Sequence, residues 1–192
     1  MFYHASNIAD IKALIPFSSG HGNPLVYFST QKENTLVYLS NPVERYCREI
    51  GFEPSDRYYR FMSYRFTEDN DLEILEYWPN ALEETYKGVS GYIYATSHIP
   101  STQTMDIPYV IASETPVTIE SFEYVPDAYL AIKQAEEEGK IKIVRYHETS
   151  ADSLDKIKKL VYREYEKAQA IPEYKIFLEA KFHSILYQFI PI

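Results

Sequence analysis

The sequence predicts a mixed α+β fold, and three observations predict it. Short strand-like runs, such as the apolar Leu25-Val26-Tyr27-Phe28 and residues 91–96, interleave with helix-like stretches. Their order lacks the regular alternation of a doubly wound parallel sheet, which favours a mainly antiparallel, split sheet with flanking helices. The chain then ends in two amphipathic stretches, 153–170 and 172–188, that read as a helical pair joined at Ile171-Pro172.

Taken in order, residues 1–5 read as a strand that opens at the first residue. Ile8, Ile11 and Leu14 recur at helical spacing, which predicts a helix stopped by Pro16. A loop with Ser18, Ser19, Gly20, Gly22 and Pro24 leads into the 25–28 strand. Ser29 and Thr30 are placed to cap a helix through Leu36, Tyr38 and Leu39, ended by Asn41-Pro42. A second helix, 43–50, stops at Gly51. Residues 58–66 and 72–78 alternate aromatic and polar side chains and read as strands, 79–87 as a helix and 91–96 as a strand. Strands over 107–112 and 117–125 flank a turn at Glu114-Thr115-Pro116. A helix over 127–138 is closed by Gly139, and a strand follows over 141–145.

The chain has 192 residues, 45% of them apolar and 24% charged, which is ordinary globular usage. It reads as one domain, 1–192, with a core over 1–145 and a C-terminal helical extension over 146–192. Tyrosine is abundant, at 19 residues, while glycine is scarce, at 6; tyrosine suits half-buried clefts because a flat apolar ring ends in a polar tip. A net charge of −9 argues against a general nucleic-acid partner, whose affinity comes from neutralising phosphates. Lys156, Lys158 and Lys159 sit at helical spacing beside acids and read as a solvated face. Cys47 is the lone cysteine, so no internal disulfide framework forms. The opening residues lack a signal-peptide pattern, and no run approaches the ~18 apolar residues of a membrane span, so a cytoplasmic protein is expected.

Three segments carry the functional signal. They are Phe2-Tyr3-His4-Ala5-Ser6; Val26-Tyr27-Phe28-Ser29-Thr30, with Tyr38 following; and Phe122-Glu123-Tyr124-Val125. Set side by side, they resemble the histidine–tyrosine–glutamate pattern of the ADP-ribosyltransferase superfamily, the branch of diphtheria-type toxins and poly(ADP-ribose) polymerases. The resemblance covers about a dozen motif positions, in element order across 1–145. It implies the sheet of that superfamily and NAD as substrate, with ADP-ribose passed to a macromolecular acceptor or to water. It further implies that Tyr27 and Tyr38 sandwich the nicotinamide ring and that the backbone at Ala5 pairs with its carboxamide. His4 would bond a ribose hydroxyl, Ser6 or Ser29 would add hydrogen bonds, and Glu123 would stabilise the oxocarbenium-like cation. His4 and Glu123 are thus the implied catalytic pair, with Glu120 and Glu114 as alternative carboxylates. Two departures stand out: Ala5 replaces the family's usual glycine, and Leu25-Val26 precede Tyr27 where a glycine is common.

Read singly, His4 suits a structural bond to a backbone carbonyl, and Tyr27 and Tyr38 suit packing. Other chemistries do poorly. The five histidines show no metal-ligand spacing with one another or with Cys47, so no metal is expected. Gly20-His21-Gly22 begins like a dinucleotide fingerprint, but Leu25 replaces the third glycine, so it reads as a loop. Cys47 reads as buried rather than catalytic. Two rivals to the transferase remain. One is a non-enzymatic binding protein on the same fold, favoured if no carboxylate enters the His4–Tyr27 cleft. The other is an RNA 2′-phosphotransferase relative, which the acidic balance disfavours. The C-terminal stripes, with Val161, Tyr165, Phe177 and Ile185 among them, either pack back on the domain or form a homodimer face.

Overall fold

A computed structural model describes residues 1–17, 23–54 and 57–187. The chain is mixed α+β, as expected, and it divides into two compact units. The first comprises residues 1–39, 65–73 and 86–142; the second comprises 40–64, 74–85 and 143–192. The serine–glycine loop at 18–22, with Gly20-His21-Gly22, lies outside the described residues, as does Gln188.

The first unit is built on a six-stranded sheet. Its strands are β1 (Phe2–Ser6), β3 (Val26–Ser29), β6 (Gly91–Thr96), β7 (Gln103–Thr104), β8 (Val110–Ser113) and β10 (Ser121–Val125), in the order β10-β6-β1-β3-β8-β7. The pairings are antiparallel. Alternation puts Val26 and Phe28 on one face, where they join Leu14, Ile99 and Val117 in a buried cluster. A two-stranded ribbon of β2 (Ala13–Leu14) and β9 (Val117–Thr118) supplies two of those residues. A 3-10 turn, Glu33–Tyr38, packs against β1 and against helix α3 (Ala128–Glu137). Asp127 caps α3 by accepting from Leu130 N at 3.1 Å, and Gly139, at φ 71°, ends it.

Gly91 is required by a close approach rather than by a turn. A Cβ there would stand 2.6 Å from Leu39 Cδ2 and 3.1 Å from the Ser6 carbonyl oxygen.

The second unit has a helical core. Helix α1 (Pro42–Glu49) starts at Asn41, whose side chain accepts from Val43 N, and carries Val43 and Cys47 inward. Helix α2 (Ala81–Tyr86) is started by Glu76, whose carboxylate accepts from Leu82 N at 3.0 Å and from Tyr146 N at 3.2 Å. Helices α4 (Ala151–Ala168), α5 (Pro172–Lys181) and α6 (His183–Leu186) close the unit. Phe61, Trp78, Phe177 and Phe182 form a ring cluster, with Trp78 5.6 Å from both Phe177 and Phe182. Val161, Ala168 and Phe177 are buried in this core, and Tyr165, Ile185 and Leu186 pack against it. Most of the C-terminal stripes is therefore covered within its own unit, while Ala170 and Ala180 are exposed.

Three strands, β4 (Tyr64–Phe66), β5 (Leu72–Leu75) and β11 (Ile141–Val144), form a further sheet in the order β11-β5-β4.

Several elements differ from expectation for identifiable reasons. Residues 8–14 form no helix, because Tyr94 takes their backbone groups. Its hydroxyl donates to the Ile8 carbonyl at 2.6 Å and accepts from Ile11 N at 3.4 Å, and Asp10 turns through φ 58°. Ser29 caps no helix; its Oγ accepts from Gln31 N in a tight local turn. The strand expected over 58–66 is confined to its last three residues, since Tyr58, Tyr59 and Phe61 pack on the helical core. The strand expected over 117–125 divides at Ile119-Glu120, where the chain leaves β2 and joins β6. The last helix breaks at Phe182, which is buried and lies at φ −122°.

Gly91→Ala should destabilise the protein by ~1–3 kcal/mol through forced overpacking, read as a lower urea midpoint at unchanged slope. Phe177→Ala should cost ~3–5 kcal/mol by the same measurement.

Candidate functional site

The sequence-derived site converges on β1 and its neighbours. Residues opposed across an antiparallel ladder share a face, and the face alternates along the strand. His4 is opposed to Tyr94, and Tyr94 to Phe122, so these three share one face. Ala5, Ile93 and Glu123 form the neighbouring row on the opposite face. Tyr3 is opposed to Ser29, which puts Tyr27 and Ser29 on the face of Ala5. The implied set is thereby divided: His4 and Ser6 belong to one face, and Ala5, Tyr27, Ser29 and Glu123 to the other.

What joins His4 to Tyr27 is a backbone bond. His4 Nδ1 lies 2.8 Å from the Tyr27 carbonyl oxygen, which can only accept, so Nδ1 carries the proton and Nε2 keeps its lone pair. The ring lies 6.0 Å from that of Phe28, itself part of the buried cluster. Burial pushes the His4 pKa below its ordinary value, and the Tyr27 carbonyl only partly offsets this. The imidazole is neutral at physiological pH.

Around it, Ala5 and Ser29 are buried, while Ser6 and Tyr27 are half-buried. The Ser6 hydroxyl accepts from Ile8 N at 3.2 Å. Tyr38 closes the 3-10 turn and is exposed.

The three carboxylates sit apart from His4. Glu123 is on β10, separated from β1 by β6, which at the usual strand spacing is ~10 Å away. Its side chain is 59% exposed and forms an ion pair with Lys32 at 3.0 Å. Glu120 accepts from Ser97 Oγ at 2.6 Å, a bond that chiefly lowers its pKa, and Glu114 is exposed in its turn. The structure therefore brings His4 and Tyr27 together through the backbone and leaves Glu123, Glu120 and Glu114 outside that contact.

Sequence reasoning missed an open surface depression of about 480 Å³ at the end of β3. Thr30 lines one side, and residues 104–111, which join β7 to β8, line the rest. Thr30 N donates to the Tyr109 carbonyl at 2.9 Å, pinning the two sides together. Tyr109 takes φ 63°, a left-handed conformation uncommon for a residue with a bulky side chain. Among the described residues lining it, Asp106 is the carboxylate. No sequence signal marks this place, because it is made by a loop crossing the end of a strand. Among the described residues, no group of His, Cys, Asp or Glu is arranged to hold a metal ion, and no helix is long and apolar enough to cross a membrane.

Cys47 is fully buried beside the Glu173 carbonyl. Burial, with Glu173 and Glu53 adding to it, pushes its thiol up to about 11, so it stays protonated and unreactive.

No family model matches the chain, and neither a curated protein nor a solved structure does.

Because the folded pKa of His4 is lowered, the unfolded chain binds the proton more readily. Its contribution to stability is full above the ordinary value of 6.5 and is lost as the pH falls from there toward the folded value. Urea unfolding across this range should show wild type losing stability on acidification more steeply than His4→Gln. Cys47 should resist thiol-specific labelling in the native state and react fully once the protein is unfolded.

Proposed function

We propose that this chain is a non-enzymatic binding protein on a sheet of ADP-ribosyltransferase type, not a transferase acting through Glu123. The observation that carries this reading is the position of Glu123, exposed, ion-paired with Lys32 and one strand beyond β6 from His4. Stabilising a cation that develops at a ribose requires a carboxylate held against it in a site closed to water. A solvated carboxylate already neutralised by a lysine contributes little to such a transition state. His4 fits the same reading. Its Nδ1 proton is committed to the Tyr27 carbonyl, and its ring packs on Phe28.

A second reading, NAD as a bound ligand or substrate, is favoured by the open depression at the end of β3. It is open to solvent, with Thr30, Asp106, Ile107 and Tyr109 exposed along it, and offers about 480 Å³ to a ligand bound at the surface. Asp106 is the acidic group there, and it would face the positively charged nicotinamide ring of NAD. In this reading Asp106 replaces Glu123 as the carboxylate, and the macromolecular acceptor is chosen by the surrounding loops.

Titration calorimetry with NAD and with nicotinamide, together with chromatography for released nicotinamide, separates the two readings. The binding-protein reading expects no nicotinamide release from NAD, by wild type or by Glu123→Gln. Release that falls at least ~100-fold in Glu123→Gln, against an unchanged fold, would overturn it. Release that depends instead on Asp106, and is abolished by Asp106→Asn, would establish the second reading.

A further inference from the structure

Strand β10 ends the six-stranded sheet, and among the described residues no strand pairs with its outer edge. It is also unusually bare. Ser121, Phe122, Glu123 and Tyr124 are all exposed, so both faces as well as the edge meet water. Phe122 and Tyr124 are 51% and 53% exposed, an unfavourable state for two aromatic rings on one strand. They stand in one aromatic patch with Tyr92, whose ring lies 5.7 Å from that of Phe122 and 5.3 Å from that of Tyr124.

We propose that β10 is a pairing edge for a second copy of this chain, joined antiparallel about a two-fold axis at Glu123. The register follows from the sequence of the strand. An antiparallel self-pairing that uses all five residues, 121–125, must be centred on residue 123, and Pro126, lacking an N–H, ends it. With that centre, Phe122 of one copy stands opposite Tyr124 of the other, and the reverse. Both aromatic pairs then lie on the face that carries Tyr92. The two glutamates meet at the axis on the other face. There, like charges would repel, but each Glu123 is ion-paired with Lys32 of its own chain at 3.0 Å, which offsets the repulsion. The charge that would ordinarily guard such an edge is thereby neutralised within the chain. The pairing would continue the sheet across both copies, and it does not depend on whether NAD binds.

Analytical ultracentrifugation and a cysteine pair test this on the full chain. Wild type should sediment as a dimer that dissociates on dilution. Phe122→Lys and Tyr124→Lys should each weaken the dimer by about tenfold or more, with the urea midpoint confirming a folded monomer. The axis brings the two residue-123 α-carbons to roughly 4.5–5.5 Å, within disulfide reach, whereas the two residue-121 α-carbons stand roughly 14 Å apart. Under mild oxidation Glu123→Cys should therefore form a covalent dimer, and Ser121→Cys should not. Buried Cys47 does not interfere. A chain that stays monomeric up to its solubility limit overturns the proposal. So does a dimer in which Ser121→Cys cross-links and Glu123→Cys does not.

Discussion

The first unit depends on one constraint, the pairing of β1 along both of its edges. Tyr3 is opposed to Ser29 on one side and to Ala95 on the other, so a five-residue strand fixes the register of β3 and β6 together. Because side chains alternate with a period of two, that register decides at once which residues form the buried cluster and which face the 3-10 turn and α3. A slip of one residue would exchange His4 for Ala5 and put an imidazole where only a methyl group is buried. The placing of His4, Ala5, Tyr27 and Ser29 follows from this lock.

The same lock explains how a family-like order of motif residues need not assemble a site. His4, Tyr27 and Glu123 occur in the expected sequence, yet period-two alternation sends them to different faces, and β6 intervenes before β10. What survives is the histidine held by a carbonyl, a bond that serves the fold whether or not a ligand is present. The polar chemistry near β1 is largely spent internally: Ser6 on Ile8, Ser29 on Gln31 and Tyr94 on the loop above it. Groups left to meet a partner are instead at the depression between Thr30 and the segment joining β7 to β8, and along the bare strand β10.

Much of the fold is legible where local signals agree with one another. β6 reads at its observed bounds, α3 is marked by Asp127 and Gly139, and α1 by its stop at Gly51, whereas Asn41-Pro42, expected to end the preceding helix, in fact starts α1. Failures come where a distant partner outbids local preference. Ile8, Ile11 and Leu14 have helical spacing, but the hydroxyl of Tyr94, more than eighty residues on, captures the backbone they would have used. The aromatic alternation at 58–66 is real, yet it reports packing on helices rather than pairing with strands. The site is legible only in part. The His4–carbonyl bond is among the readings of a lone histidine, whereas the depression arises from a loop closing over a strand end and leaves no periodic trace.

The second unit is assembled from three separated stretches of chain, 40–64, 74–85 and 143–192. Val43, Cys47, Phe61 and Trp78 are made roughly a hundred residues before Tyr174, Phe177 and Phe182, which cover them. A growing chain therefore carries an uncovered aromatic half-core while roughly a hundred residues emerge, and only the last helices make burial worthwhile. The helical segment after residue 145 is accordingly no appendage. Removed, it would leave behind not a trimmed domain but an open one, with Trp78 and Phe61 turned toward water and toward any other unfinished chain nearby.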